Sequence, residues 1–192
     1  MLKKRIEELV AIPQNLSLFK EERTYAVKHK LISKENISEA DPTDRFADAY
    51  IEKCDKESEN VISEESSQFL NQPISYLKLQ QNEFIYLESK WLDIIGVDAV
   101  SLEMDDVFGT YDALLGLRLQ KKYEKSIKDF FREHLHGEEA RFSLLFSPED
   151  GLWNVNFTLN YADGFREEMS IGEAYQLIYS FIFRLAESVE AA

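Results

Sequence analysis

The side chains best suited to chemistry in this sequence fall into a few short clusters. His134-Leu135-His136, followed by Glu138 and Glu139, offers imidazole and carboxylate, which are proper ligands for zinc or iron. Two histidines at i and i+2 diverge on a helix, though. Both stand where a helical run ends, and imidazolium also suits the negative end of a helix dipole. Glu103, Asp105 and Asp106 could serve general acid–base work or a divalent cation. The spacing of an EF-hand loop is missing, however, and acid at the start of a long helix is explained by capping. Asp112 and Asp163 stand alone. Cys54, the one cysteine, shares an expected apolar helix face with Phe46 and Tyr50 and reads as a buried small hydrophobe rather than a nucleophile. Neither a Gly-x-Ser-x-Gly elbow, a Walker sequence nor Gly-x-Gly-x-x-Gly occurs. The sequence therefore assigns no catalytic residue and no cofactor. His134 and His136 are its candidates for zinc or iron ligands.

The elements that must position these groups are read from periodicity. The first 40 residues read as short amphipathic helical pieces, a helical arm broken at Pro13 and around Ser33-Lys34-Glu35-Asn36. Asp41-Pro42-Thr43-Asp44 starts a further helix, with an acidic N-cap and Pro in the first turn; Phe46, Tyr50, Cys54, Val61 and Ile62 continue it. Ile74–Leu79 and Glu83–Leu87 could form a hairpin around Gln80-Gln81-Asn82. Yet Phe84, Leu87, Trp91, Leu92 and Ile95 also make a helical stripe ended by Gly96, and a helix over about 82–95 is favoured. A long helix is expected from Asp105 or Asp106 to Leu135, with Phe108, Tyr111, Leu115, Leu119, Tyr123, Ile127 and Phe130 on one stripe. Arg118, Lys121, Lys122, Lys125, Lys128 and Arg132 form a second, cationic stripe. Its plain reading is a solvated face paired with Glu124, Asp129 and Glu133.

Residues 139–192 change period. Arg141–Phe146 leads into a Pro/Asp-Gly turn, and Trp153, Val155, Phe157, Leu159 and Tyr161 then alternate with polar residues, as in a half-buried antiparallel strand. Phe165–Met169 is drawn as a third strand. Ser170-Ile171-Gly172-Glu173 is a capping box opening a helix to about Val189 that is apolar around most of its circumference. Such a helix must be enclosed, by its own domain or by a partner. The expected fold is one α+β domain, mainly helical, with a small three-stranded meander packed on a long helix and the C-terminal helix.

Composition narrows the function classes. The 192 residues carry 22 Lys+Arg against 36 Asp+Glu, a net charge of −14. Residues 35–69 alone hold three Lys/Arg against eleven Asp/Glu. A field of this sign repels nucleic-acid phosphates and anionic membrane surfaces and attracts basic partners. No apolar run approaches the ~20 residues that span a bilayer, and the N-terminus lacks the apolar core of an export signal. The expectation is a soluble cytoplasmic protein that binds a protein partner or itself, and neither nucleic acid nor membrane.

Two stretches, Tyr86–Asp98 and Gly151–Phe157, resemble short bacterial proteins of unassigned function, some of which carry the name branched-chain amino acid aminotransferase. The likeness covers about residues 40–190. Enzymes of that family hold pyridoxal phosphate on a lysine, with an acidic partner at the pyridine nitrogen and a phosphate cup. None of those positions aligns here, so no residue takes a role from it. Two functional expectations result. One is a non-catalytic interaction or regulatory module, similar in general shape to acidic immunity proteins, with Tyr175, Tyr179 and Phe183 as exposed aromatic anchors. The other is an enzyme or small-ligand binder using Asp105, Asp106 or the histidines.

Overall fold

In the computed structural model, which describes residues 1–11, 17–32 and 37–191, alternation rather than helical spacing governs the middle of the chain. Strands β1 (Ser17–Leu18) and β2 (Ser38–Glu39) make a small parallel pair. Strands β3 (Tyr50–Asp55), β4 (Val61–Glu65), β5 (Glu83–Glu88), β6 (Val97–Asp105), β7 (Thr110–Leu117), β8 (Phe142–Ser147) and β9 (Leu152–Thr158) form one sheet in the order β4-β3-β5-β6-β7-β9-β8. Every neighbouring pair in it is antiparallel. The helices are α1 (Leu2–Val10), α2 (Lys20–Lys28), α3 (Tyr76–Leu79), α4 (Lys90–Ile95), α5 (Glu124–His134) and α6 (Ile171–Ala191). Among the described residues, helix, 3-10 turns included, occupies 41% and strand 30%, so the expectation of a mainly helical fold with a small meander is corrected to an α+β fold built on a seven-stranded sheet.

The largest correction lies at Asp105–Leu135. The expected single helix is the end of β6, a tight turn, β7, and only then α5. Tyr111 and Leu115 fit a stripe of period four, but they also fit an alternation of period two with Ala113 and Leu117, and all four are buried. The turn chemistry decides between the two. The Asp105 carboxylate accepts the N–H groups of Val107 and Phe108 at 2.9 and 3.0 Å, and Gly109 sits at φ +67°, which L side chains rarely adopt. Gly116 further weakens a helix there.

Three other segments differ in the same direction. Asp41 does cap, accepting the Thr43 N–H at 2.9 Å, but it opens only a 3-10 turn over Pro42–Asp44 before β3. Cys54 is thus buried on a strand, not a helix. Residues 82–95 divide between the two readings: β5, then α4, started by the Ser89 hydroxyl and closed by Gly96 at φ +80°. Phe165–Met169 forms turns, leaving Ser170 a lone bridge to Pro73. The breaks expected at Pro13 and at Ser33–Asn36 lie outside the described residues. The first 40 residues are no separate arm, since Leu2, Ile6, Tyr25 and Ala26 belong to the common core.

All the core sits on one side of the sheet. Ile51, Ile85, Leu87, Val100, Leu102, Ala113, Leu115, Val155 and Phe157 point to it, each under 8% exposed. Helix α6 lies across them. The Ser170–Glu173 capping box forms as expected, with reciprocal bonds of 3.1 and 2.7 Å. Phe181 stacks on Phe157 with ring centroids 5.0 Å apart, and Phe130 and Phe131 of α5 close around the pair.

The enclosure demanded by an all-apolar helix is supplied by the chain itself. Tyr175, Tyr179 and Phe183 are 1%, 1% and 3% exposed, so their expected role as surface anchors is corrected. Tyr175 donates to the Ile85 carbonyl at 2.7 Å. The Tyr179 hydroxyl donates to Glu22, whose carboxylate is fully buried against Arg45 at 2.6 and 3.2 Å. The Arg45 guanidinium lies 4.2 Å from the centroid of the Phe19 ring and 3.9 Å from that of Tyr179. This buried ion pair ties α2 and the segment before β3 to α6. Removing one member of such a pair costs about 3–5 kcal/mol, because the other is left charged and unpaired.

Candidate functional site

With the helices on one side, the other face of the sheet is uncovered, and alternation puts a second set of side chains there. One ladder crosses the sheet as Glu52, Tyr86, Ser101, Leu114, Asn156 and Ser143, on β3, β5, β6, β7, β9 and β8. The next runs Cys54, Phe84, Glu103, Asp112 and Thr158. Two hollows open along these ladders. One of ≈ 470 Å³ is bounded by Glu52, Cys54, Lys56, Phe84, Tyr86 and Glu103. The other, ≈ 290 Å³, is bounded by Asp105, Phe108, Asp112, Arg141, Asn156 and Thr158.

Glu103 and Asp112 face each other across β6 and β7, in the seam between the two hollows. Burial raises the pKa of both carboxyls. Lys56 partly offsets this at Glu103, where Asp112, Asp105 and Asp106 push further up. At Asp112, Asp105 raises and Arg141 lowers, with Asn156 and Thr158 also stabilising the charged form. The Asn156 amide and the Thr158 hydroxyl are the donors next to Asp112, whose Oδ1 is sealed from solvent. The cations at hand are already engaged. Lys56 Nζ donates to the Met104 carbonyl. Arg141 lies 3.8 Å from Asp105, donates to Thr110 at 3.3 Å and covers the Phe108 ring. The face thus sets carboxylates beside already engaged cations, inside a frame of Phe84, Phe108 and Cys54. Burial and the neighbouring Glu52 raise the Cys54 thiol's pKa, which keeps it protonated and weakly nucleophilic.

Of the residues singled out from sequence, the fold brings Cys54, Glu103, Asp105 and Asp112 to this one face and leaves the others elsewhere. His134 stacks on Phe130, with Nδ1 2.9 Å from that residue's carbonyl. His136 lies 3.2 Å from Asp163. Among the described residues, no group of three or more His, Cys, Asp or Glu side chains could hold a metal ion. The cationic stripe is divided: Arg118 pairs with Asp98, Lys128 with Glu124 and Arg132 with Asp129. Lys56, Arg141 and Asn156 escaped the sequence reading, and the alternation around them was the signal that would have placed them. Among the described residues, no helix is long and apolar enough to cross a membrane. No protein-family model, curated protein or solved structure matches the chain.

Proposed function

We propose that this chain is a non-catalytic, cytoplasmic interaction module of the immunity-like kind, whose uncovered sheet face receives a basic segment of a protein partner. The observation that carries this reading is the opposed pair Glu103 and Asp112, half-buried among apolar side chains in the seam between the two hollows. A guanidinium or ammonium entering either hollow would face both carboxylates and lower both pKa values, at sites where charge-assisted bonds count most. The net charge of −14 adds long-range attraction of the same sign.

An arginine-rich nonapeptide, titrated calorimetrically at physiological ionic strength, tests the site against the general field. The pair Glu103→Gln and Asp112→Asn should weaken binding about tenfold or more, a loss of about 1.4 kcal/mol. The control pair Asp129→Asn and Glu133→Gln, equal in charge but remote on α5, should leave it nearly unchanged. Equal losses in both would assign the binding to net charge alone and remove the proposal.

A second reading has one observation in its favour: the ≈ 470 Å³ hollow falls within the size range of small-ligand pockets. Thermal shift with pyridoxal phosphate and with divalent cations addresses it, since a ligand held by the native state must stabilise that state. No shift with either counts against it.

A further inference from the structure

The sheet ends in two very different edges. Strand β4, at one end, carries Glu64 and Glu65, and a register shift between Lys53 and Cys54 interrupts its pairing. Charge and irregularity of this kind keep an edge from recruiting further strands. Strand β8, at the other end, reads Phe142-Ser143-Leu144-Leu145-Phe146-Ser147, without a charge, a proline or a register shift. Among the described residues, its one neighbour is β9. The Thr158 N–H donates to the Arg141 carbonyl, so by antiparallel alternation Ser143, Leu145 and Ser147 bond to β9. The main-chain groups of Phe142, Leu144 and Phe146 then point outward. On the uncovered face of the sheet, Leu145 is 70% exposed.

What flanks this edge decides what fits it. Helix α5 lies over the core side of β8: Phe131 stacks on Phe142 at 5.0 Å, and Lys121 Nζ stands 5.7 Å from the Phe146 ring. Phe130 turns the other way, toward Phe181 of α6. At 100° per residue, the flank of α5 beyond Phe131 carries Lys128, Arg132 and Lys125. Lys121 and Lys125 make no ion pair among the described residues. Lys121, with Lys125 on the outer flank of α5, therefore lies alongside the one uncharged edge of the sheet.

We propose that the β8 edge accepts an extended segment of a partner protein as an eighth strand, with Asp or Glu at alternate positions facing Lys121 and Lys125 and apolar residues between them covering Leu145. Main-chain bonds give such strand addition its affinity, and alternate side chains give it specificity. A second copy of this chain fits less well. Pairing β8 with β8 sets the lysines of one chain against those of the other, where a partner's carboxylates would pair with them.

The probe is an acetylated, amidated nonapeptide of alternating Glu and Val, compared with its Lys/Val counterpart and with a version interrupted by a central Pro. Binding by the Glu/Val peptide alone should slow hydrogen exchange of the Phe142, Leu144 and Phe146 amides at least tenfold. The exposed double substitution Lys121→Glu and Lys125→Glu should weaken it at least tenfold while leaving the circular dichroism unchanged. The proposal is overturned by absence of binding, by binding that leaves those three amides unprotected, or by equal binding of the Lys/Val peptide. It is also overturned if those amides are already slow in the free protein. Concentration-dependent growth in light scattering without peptide would assign the edge to a second copy instead.

Discussion

Glu103 and Asp112 show how one residue's surroundings set its chemistry. Each carboxyl's pKa is raised by loss of water and by its acidic neighbours. A raised native pKa means that the folded state holds protons more tightly than the unfolded one. Stability tied to these groups is therefore full below the ordinary carboxylate range and is lost as pH rises through the elevated values. Glu103→Gln and Asp112→Asn should accordingly raise the melting temperature at pH 7, by about 1–4 °C once solvent screening of half-exposed groups is allowed for. The gain should vanish near pH 4 in a calorimetric series, and a gain that grew toward acid would contradict the assignment. The acidity of these residues was legible in the sequence, but their opposition across two strands was not. It depends on whether Phe108–Leu117 is helix or hairpin, and the apolar residues there satisfy both periods. The buried Arg45–Glu22–Tyr179 cluster was wholly illegible, because its members are brought together from three elements and nothing local marks a charge as buried.

Among the elements, α6 and the β8–β9 hairpin were readable because several local signals agree there. Alternation, turn residues and the capping box all point to one answer. The box itself is testable. Ser170 stands at the mouth of the helix that covers most of the core, and its hydroxyl accepts the Glu173 N–H. Ser170→Ala should cost about 1 kcal/mol, within a range of 0.5–2, read as a shift of the urea midpoint at constant slope. Ser170→Asp should restore most of it, since an acid caps equally well and favours the dipole. The strands β3, β4, β5 and β7 were misread for the opposite reason. Their inward residues, such as Ile51, Ile85 and Ala113, are few per strand, and the outward ones include Phe84, Tyr86 and Leu114. Both faces then look apolar enough for a helical stripe to be drawn through them.

At the scale of the whole molecule, the helices gather on one side of the sheet and leave the other side and one edge bare. Charge is sorted accordingly: carboxylates gather on the bare face, and lysines line the bare edge. Closure of this sheet does not follow chain order. Strand β7 pairs not with β8 but with β9, from Leu117 with Trp153 to Asp112 with Thr158, across the excursion that forms α5 and β8. Local contacts form before distant ones, since loop closure is paid for in entropy. In pulsed hydrogen-exchange refolding, amides of α5 should gain protection before those of β7 and β9. Simultaneous protection would show that the two halves of the sheet form in a single step.

That crossing order also bears on the protein's birth. With Leu117 already translated, β7 must wait for β9 to be made before its far side is satisfied. At roughly 5–20 residues per second, the ribosome takes several seconds to supply it. Throughout that interval the nascent chain holds out an apolar strand paired with β6 on one edge and bare on the other, and it is then, rather than after folding, that it most needs a chaperone's shelter.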